Sequence, residues 1–128
     1  MTKKLITTAS ILGAIAIILG AFGAHALKKV LSPEQLITFE TGVRYQMYHA
    51  LFLLFISAHT ILSDKLKKVI LTLVQVGVLF FSGSIYLLAT NDLTPFDFKT
   101  IGFITPIGGA LLIAAWGVLI YQNWIKKL

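Results

Sequence analysis

Four apolar runs separated by short polar stretches make up this chain: Leu5–Leu27, Tyr45–Leu62, Val69–Thr90 and residues 106–125. A helix needs roughly 20 predominantly apolar residues to cross the hydrocarbon core of a bilayer. Each run reaches that length, the second only narrowly, so the pattern predicts four membrane-spanning helices. The connections are short, which predicts antiparallel packing of consecutive helices. No internal repeat and no low-complexity linker divides the sequence. The fold class read from this pattern is an all-α membrane protein: one integral domain over residues 1–128 forming a four-transmembrane-helix bundle.

Local signals refine the runs. Ser32-Pro33-Glu34-Gln35 places a serine N-cap, a proline at the first helical position and a glutamine at the third, a strong helix start. Behind it, Leu36, Ile37, Phe39 and Val43 are interspersed with Glu34, Gln35, Thr38 and Glu40. This predicts a short amphipathic interfacial helix over 33–43, facing outward and running into the second span with a bend at Gly42. Asn91 and Pro95 mark a turn after the third span. Thr105-Pro106 is read as the N-cap and first position of the fourth. The first run also mimics a secretory signal, with Lys3 and Lys4 ahead of it and Ala24-His25-Ala26 behind. It extends well beyond the roughly 7–15 residues of a signal core, so it is read as a span.

Composition agrees with a bilayer. Charged residues are only 12% of the chain and hydrophobic residues 57%, against about 25% charged in a soluble domain. The absence of cysteine excludes disulfides, thiolate metal sites and cysteine nucleophiles. The net charge of +6 does not point to nucleic acid, because the lysines flank apolar runs rather than forming a basic helix. Lys3, Lys4, Lys65, Lys67, Lys68, Lys126 and Lys127 fall on one side of the predicted topology. Lys28, Lys29, Arg44 and Lys99 fall on the other. This bias predicts a multi-pass protein of the bacterial cytoplasmic (inner) membrane with both termini cytoplasmic.

Helix association in lipid relies on close packing and polar contacts, because lipid tails are as apolar as leucine. Ala9, Gly13, Ala16, Gly20, Gly23 and Ala24 form a small-residue face on the first span. Gly77, Ser82, Gly83 and Ser84 mark the third, and Gly109, Ala110, Ala114 and Gly117 the fourth. Gly13, Gly20, Gly23, Gly83 and Gly109 are read as helix-packing positions within one chain. A homo-oligomer or a partner membrane protein is the alternative use of the same faces.

The candidate functional residues are His25, Glu40, Arg44, Tyr45, Gln46, Tyr48 and His49. Glu40 and Arg44 are four apart on a helix, as are Arg44 and Tyr48, and Tyr45 and His49, so pairs share a face, whereas Gln46 faces elsewhere. The cluster is predicted to lie at the outer membrane boundary, with His25 at similar depth. Interface anchoring by tyrosine and arginine, with a neutralising Glu–Arg pair, is its plain structural use. A site for a lipid headgroup, a quinone-like ring or another small anion is the functional one. Acid–base catalysis by Glu40 and His49, or haem ligation by His25 and His49, has no further signature behind it. His25, His49 and Glu40 lack the short ligand spacing of a metal motif, and no metal or cofactor is expected. Gln75 is expected to make an interhelical hydrogen bond.

The segments GAFGAHALK (20–28), ETGVRYQMYHAL (40–51), LFFSGSIYLL (79–88) and ITPIGGALLIAAW (104–116) resemble those of small bacterial membrane proteins of the domain-of-unknown-function family four hundred and twenty-three, related to eukaryotic transmembrane protein 256. The resemblance implies a four-span inner-membrane protein and no established activity, so it carries over no catalytic residue. The function expected from the whole reading is non-enzymatic binding of a lipid or a partner helix by the outer polar cluster. The alternatives are a small-solute transporter or channel working as an oligomer, and a membrane-embedded enzyme or haem protein.

Overall fold

The computed structural model describes residues 1–124, and there the chain is helical throughout. The helices are α1 (Thr2–His25), α2 (Pro33–Ala58), α3 (Asp64–Ala89) and α4 (Ile104–Trp124), with one 3₁₀ turn between α1 and α2 and two between α3 and α4. Lys126 and Lys127, which the charge count used, lie outside the described residues.

The helix starts follow their capping chemistry. Ser32 Oγ accepts from the Gln35 amide at 3.1 Å, and Gln35 Oε1 accepts from the Ser32 amide at 2.9 Å. This reciprocal box starts α2 at Pro33, as the sequence predicts. Ser63 caps α3 by accepting from the Leu66 amide, so Lys65, Lys67 and Lys68 sit in the first turns of α3 rather than in a loop. The expected end of the second span at Leu62 is corrected. His59 leaves the helix, and its Nδ1 accepts from the amides of Ile61 and Leu62. α4 begins at Ile104, two residues earlier than Thr105-Pro106 suggested.

Residues 33–43 and 45–58 belong to one continuous helix. Gly42 is there for packing: a Cβ at that position would lie 2.6 Å from Tyr86 Cε1. Consecutive helices run antiparallel. Gly13 faces Met47 and Ala50, Gly20 faces Val43 and Gly23 faces Phe39; Gly42 meets Ile85 and Tyr86; Gly77 meets Leu112 and Gly108 meets Phe81. The α1 glycines therefore work within the chain, as read from their spacing. Gly109 touches the Phe81 ring, whereas a side chain at Gly83 would meet nothing within 4 Å. The tightest approaches are at Gly42, Gly77 and Gly108, of which Gly42 and Gly108 were not read as packing positions.

Thr2–Lys29, Asp64–Ala89 and Phe98–Trp124 are long and apolar enough to cross a membrane. α2 is not among them, because Glu40, Arg44, Gln46 and His49 dilute its apolar residues. Two apolar clusters flank its polar middle. The larger gathers Leu5, Phe52, Leu53, Ile56, Ile70, Val74 and Leu112. The smaller gathers Leu27, Leu31, Phe39 and Ala89 at the opposite end.

Candidate functional site

Between those clusters lies a layer of paired polar side chains. Gln46 is 4% exposed. Its Nε2 donates to the Leu12 carbonyl of α1 at 2.9 Å, and its Oε1 accepts from the Tyr86 hydroxyl of α3 at 2.7 Å. Ser82, fully buried, donates to the Gly42 carbonyl at 2.8 Å. One glutamine thereby ties three helices together, where lipid offers no substitute partner.

His49, also 4% exposed, is held from two sides. Its Nδ1 lies 2.7 Å from the Tyr45 carbonyl, and the Trp116 indole N–H donates to its Nε2 at 3.2 Å. A carbonyl only accepts and an indole N–H only donates. The pair therefore fixes a neutral imidazole with its proton on Nδ1. Trp116 stacks on Phe52 with ring centroids 4.1 Å apart. This arrangement links α2 to α4, and both ring nitrogens are engaged.

Gln46 and His49 lie level with the middle of α1 and of α4, although the Tyr86 that Gln46 meets stands in the last turn of α3. Gly13, which packs beside Met47 and Ala50, stands near the middle of α1. Trp116 stands near the middle of α4. His25 is the exposed last residue of α1, at the level of Phe39. Ten residues of α2 separate Phe39 from His49, roughly 15 Å along the axis. The fold thus does not bring His25 and His49 to one haem or one metal. Among the described residues, no group of three His, Cys, Asp or Glu side chains is placed to hold a metal ion.

Glu40 and Arg44 do meet, with Arg44 Nη2 3.9 Å from Glu40 Oε2 and both side chains about half exposed (47% and 53%). Tyr45 and Tyr48 point outward with ring centroids 5.4 Å apart. The expected cluster accordingly divides: Glu40, Arg44, Tyr45 and Tyr48 line the surface of α2, while Gln46 and His49 turn inward. Tyr45, His49, Phe81, Gly109, Ile113 and Trp116 surround a groove of about 310 Å³ between α2, α3 and α4. Tyr86, Ser82 and Trp116 were absent from the predicted site. The four-residue spacing of Ser82 and Tyr86 in an otherwise apolar span was the available signal.

Gln75 lies on the surface rather than buried, and its Nε2 donates to Thr8 Oγ1 at 3.2 Å, the interhelical bond expected of it. At the far end, Gln35 donates to Asp92 at 2.8 Å and joins the start of α2 to the α3–α4 connection.

Apolar outer surfaces around sequestered polar groups define a helical membrane protein. The chain belongs to the family described as Protein of unknown function (DUF423), which it matches over residues 19–109. It is 33% identical to a UPF0382 membrane protein of Haemophilus influenzae over 127 residues, covering 99% of this chain and 98% of that one. It is 41% identical to UPF0382 membrane protein SH2409 of Staphylococcus haemolyticus, with 89% and 93% covered. It is 33% identical to the UPF0382 inner membrane protein YgdD of Escherichia coli, with 94% and 89% covered. No solved structure matches it.

Proposed function

We propose that this chain is a four-span protein of the bacterial inner membrane, with both termini cytoplasmic, that binds a lipid laterally in the outward half of its bundle. In this reading α2 is the fourth span, screened by three more apolar helices. The observation that carries the binding role is the groove at Tyr45, His49, Phe81, Gly109 and Trp116. Its volume of about 310 Å³ is at the lower end of the roughly 300–1,000 Å³ of small-molecule sites. Arg44 and Glu40 lie on the same helix, roughly one and a half and two and a half turns from His49, on the headgroup side. The groove thus offers aromatic walls to a chain or ring, with a charged pair nearer the interface.

The role is non-enzymatic in this reading. Gln46, His49, Ser82 and Tyr86 spend their hydrogen bonds on one another, on Trp116 and on backbone. Their polar atoms hold helices together, even where a side chain such as His49 lines the groove.

Native mass spectrometry of detergent-purified protein tests the proposal. The intact chain should retain a phospholipid that Gly109→Leu displaces, with the melting temperature of the variant unchanged. Equal lipid retention by both proteins would overturn the groove as the site. A stable dimer in place of retained lipid would assign the face to a partner helix.

A further inference from the structure

A second opening lies on the other side of the molecule, between α1 and α3. At the end where both helices begin, Lys3, Lys4, Thr7, Lys68, Thr72 and Gln75 line a depression of about 670 Å³. Its wall carries three cationic side chains and three threonines, counting Thr8, and among the described residues no carboxylate lines it. Gln75 bridges the two helices at its deep edge by donating to Thr8. Gln75 also lines the next depression along the same seam, about 420 Å³ and walled mainly by Leu12, Ile15, Leu79 and Gly83, with Gln46 and Tyr86 also reaching it. The two openings therefore meet at Gln75. The first is basic and hydroxylic, and it lies where the helices start. The second is almost wholly apolar and runs towards the middle of the helices. Gly83 has open space before it, which keeps this apolar stretch clear.

This sequence of chemistries along one seam matches an amphiphile with an anionic head. We propose that the α1–α3 seam is a binding site for an anionic phospholipid. The phosphate sits among Lys3, Lys4 and Lys68, and one acyl chain lies along Leu12, Ile15 and Leu79. Lysine ammonium groups attract phosphate as point charges, and threonine hydroxyls donate to its oxygens. Near a membrane surface each lysine strengthens binding to anionic lipid. The apolar stretch excludes a free phosphate ion as the preferred occupant, because a soluble anion would leave it unused. This site is separate from the groove at Trp116 and does not depend on it.

The test compares dioleoylphosphatidylglycerol with dioleoylphosphatidylcholine, added at equal amounts to the purified full chain and read by native mass spectrometry. The glycerol lipid should be retained at least about tenfold better. The triple variant Lys3→Gln, Lys4→Gln, Lys68→Gln should lose that preference and keep its melting temperature, since all three lysines are exposed. Gly83→Leu, which meets no neighbour on its first carbon, should lower retention of both lipids at this seam. Gly109→Leu should leave the preference intact, which separates this site from the outer groove. Equal retention of the two lipids, or a triple variant with unchanged preference, would overturn the proposal. Displacement of the bound lipid by millimolar inorganic phosphate would reassign the basic pocket to a soluble anion and overturn it as well.

Discussion

α4 is almost unbrokenly apolar, yet it buries only Gly108, Leu112, Ala115 and Gln122. Ile113 and Ile120 are 72% and 65% exposed. α2 carries Glu40, Arg44, Gln46 and His49, and it buries eight residues, two of them polar. In water the more apolar helix would be the inner one. In lipid an exposed isoleucine costs nothing, while an unpaired amide is expensive. The helix with the most polar groups is therefore the one that gains most from being surrounded. The contrast teaches that apolarity here ranks contact with lipid, not depth in the protein.

The contact of α4 with α3 is where that contrast breaks most easily. A Cβ at Gly108 would run into the backbone of Phe80 and Phe81, which has no rotamer to give way. Gly108→Ala is expected to cost about 3 kcal/mol, the upper range for an overpacked contact. Gly83→Ala, facing open space, should instead stabilise by about 0.5–1 kcal/mol, because alanine is the better helix residue. Thermal unfolding in detergent reads both. Equal effects at the two glycines would mean that α3 and α4 do not approach at Gly108.

The polar layer of α2 comes next in size. Gln46→Leu strands the Tyr86 hydroxyl and removes the donor to the Leu12 carbonyl. An unsatisfied buried group costs about 1–3 kcal/mol, so a loss in that range is expected. Ile113→Leu on the outer face of α4 should stay within about 0.5 kcal/mol of the parent. If the leucine at position 46 were tolerated as well as the one at 113, α2 would not be an inner helix.

The sequence made the four helical runs, the Ser32 cap and the α1 glycine face legible, because each rests on local spacing. It also paired Glu40 with Arg44 correctly, since that contact needs only one helix. What it missed depends on neighbours from distant segments. Gln46 could be read as facing away from the Glu40–Arg44 pair, but nothing local reveals that Leu12 and Tyr86 converge on it. His49 was assigned to the boundary because the second apolar run was read as starting at Tyr45, when the helix starts at Pro33. Gly42 was read as a bend because its close neighbour, Tyr86, lies forty-four residues further along the chain.

The Glu40–Arg44 pair should give the smallest effect. Its separation of 3.9 Å and its half-exposed side chains make it a loose contact. Glu40→Gln should destabilise by no more than about 1 kcal/mol, and adding Arg44→Gln should partly restore stability. A double-mutant cycle with strictly additive losses would show the two residues acting separately, and α2 would then carry an uncompensated cation towards lipid.

The proposed topology turns most directly on whether α2, the most polar of the four predicted spans, crosses the membrane. The chain contains no cysteine, so single cysteines report without interference. Lys29→Cys lies in the connection before α2 and Thr60→Cys in the connection after it, both exposed. A membrane-impermeant maleimide applied to intact cells should label position 29 and should reach position 60 only after permeabilisation. Labelling of both positions from the same side would place the two ends of α2 together and contradict the account.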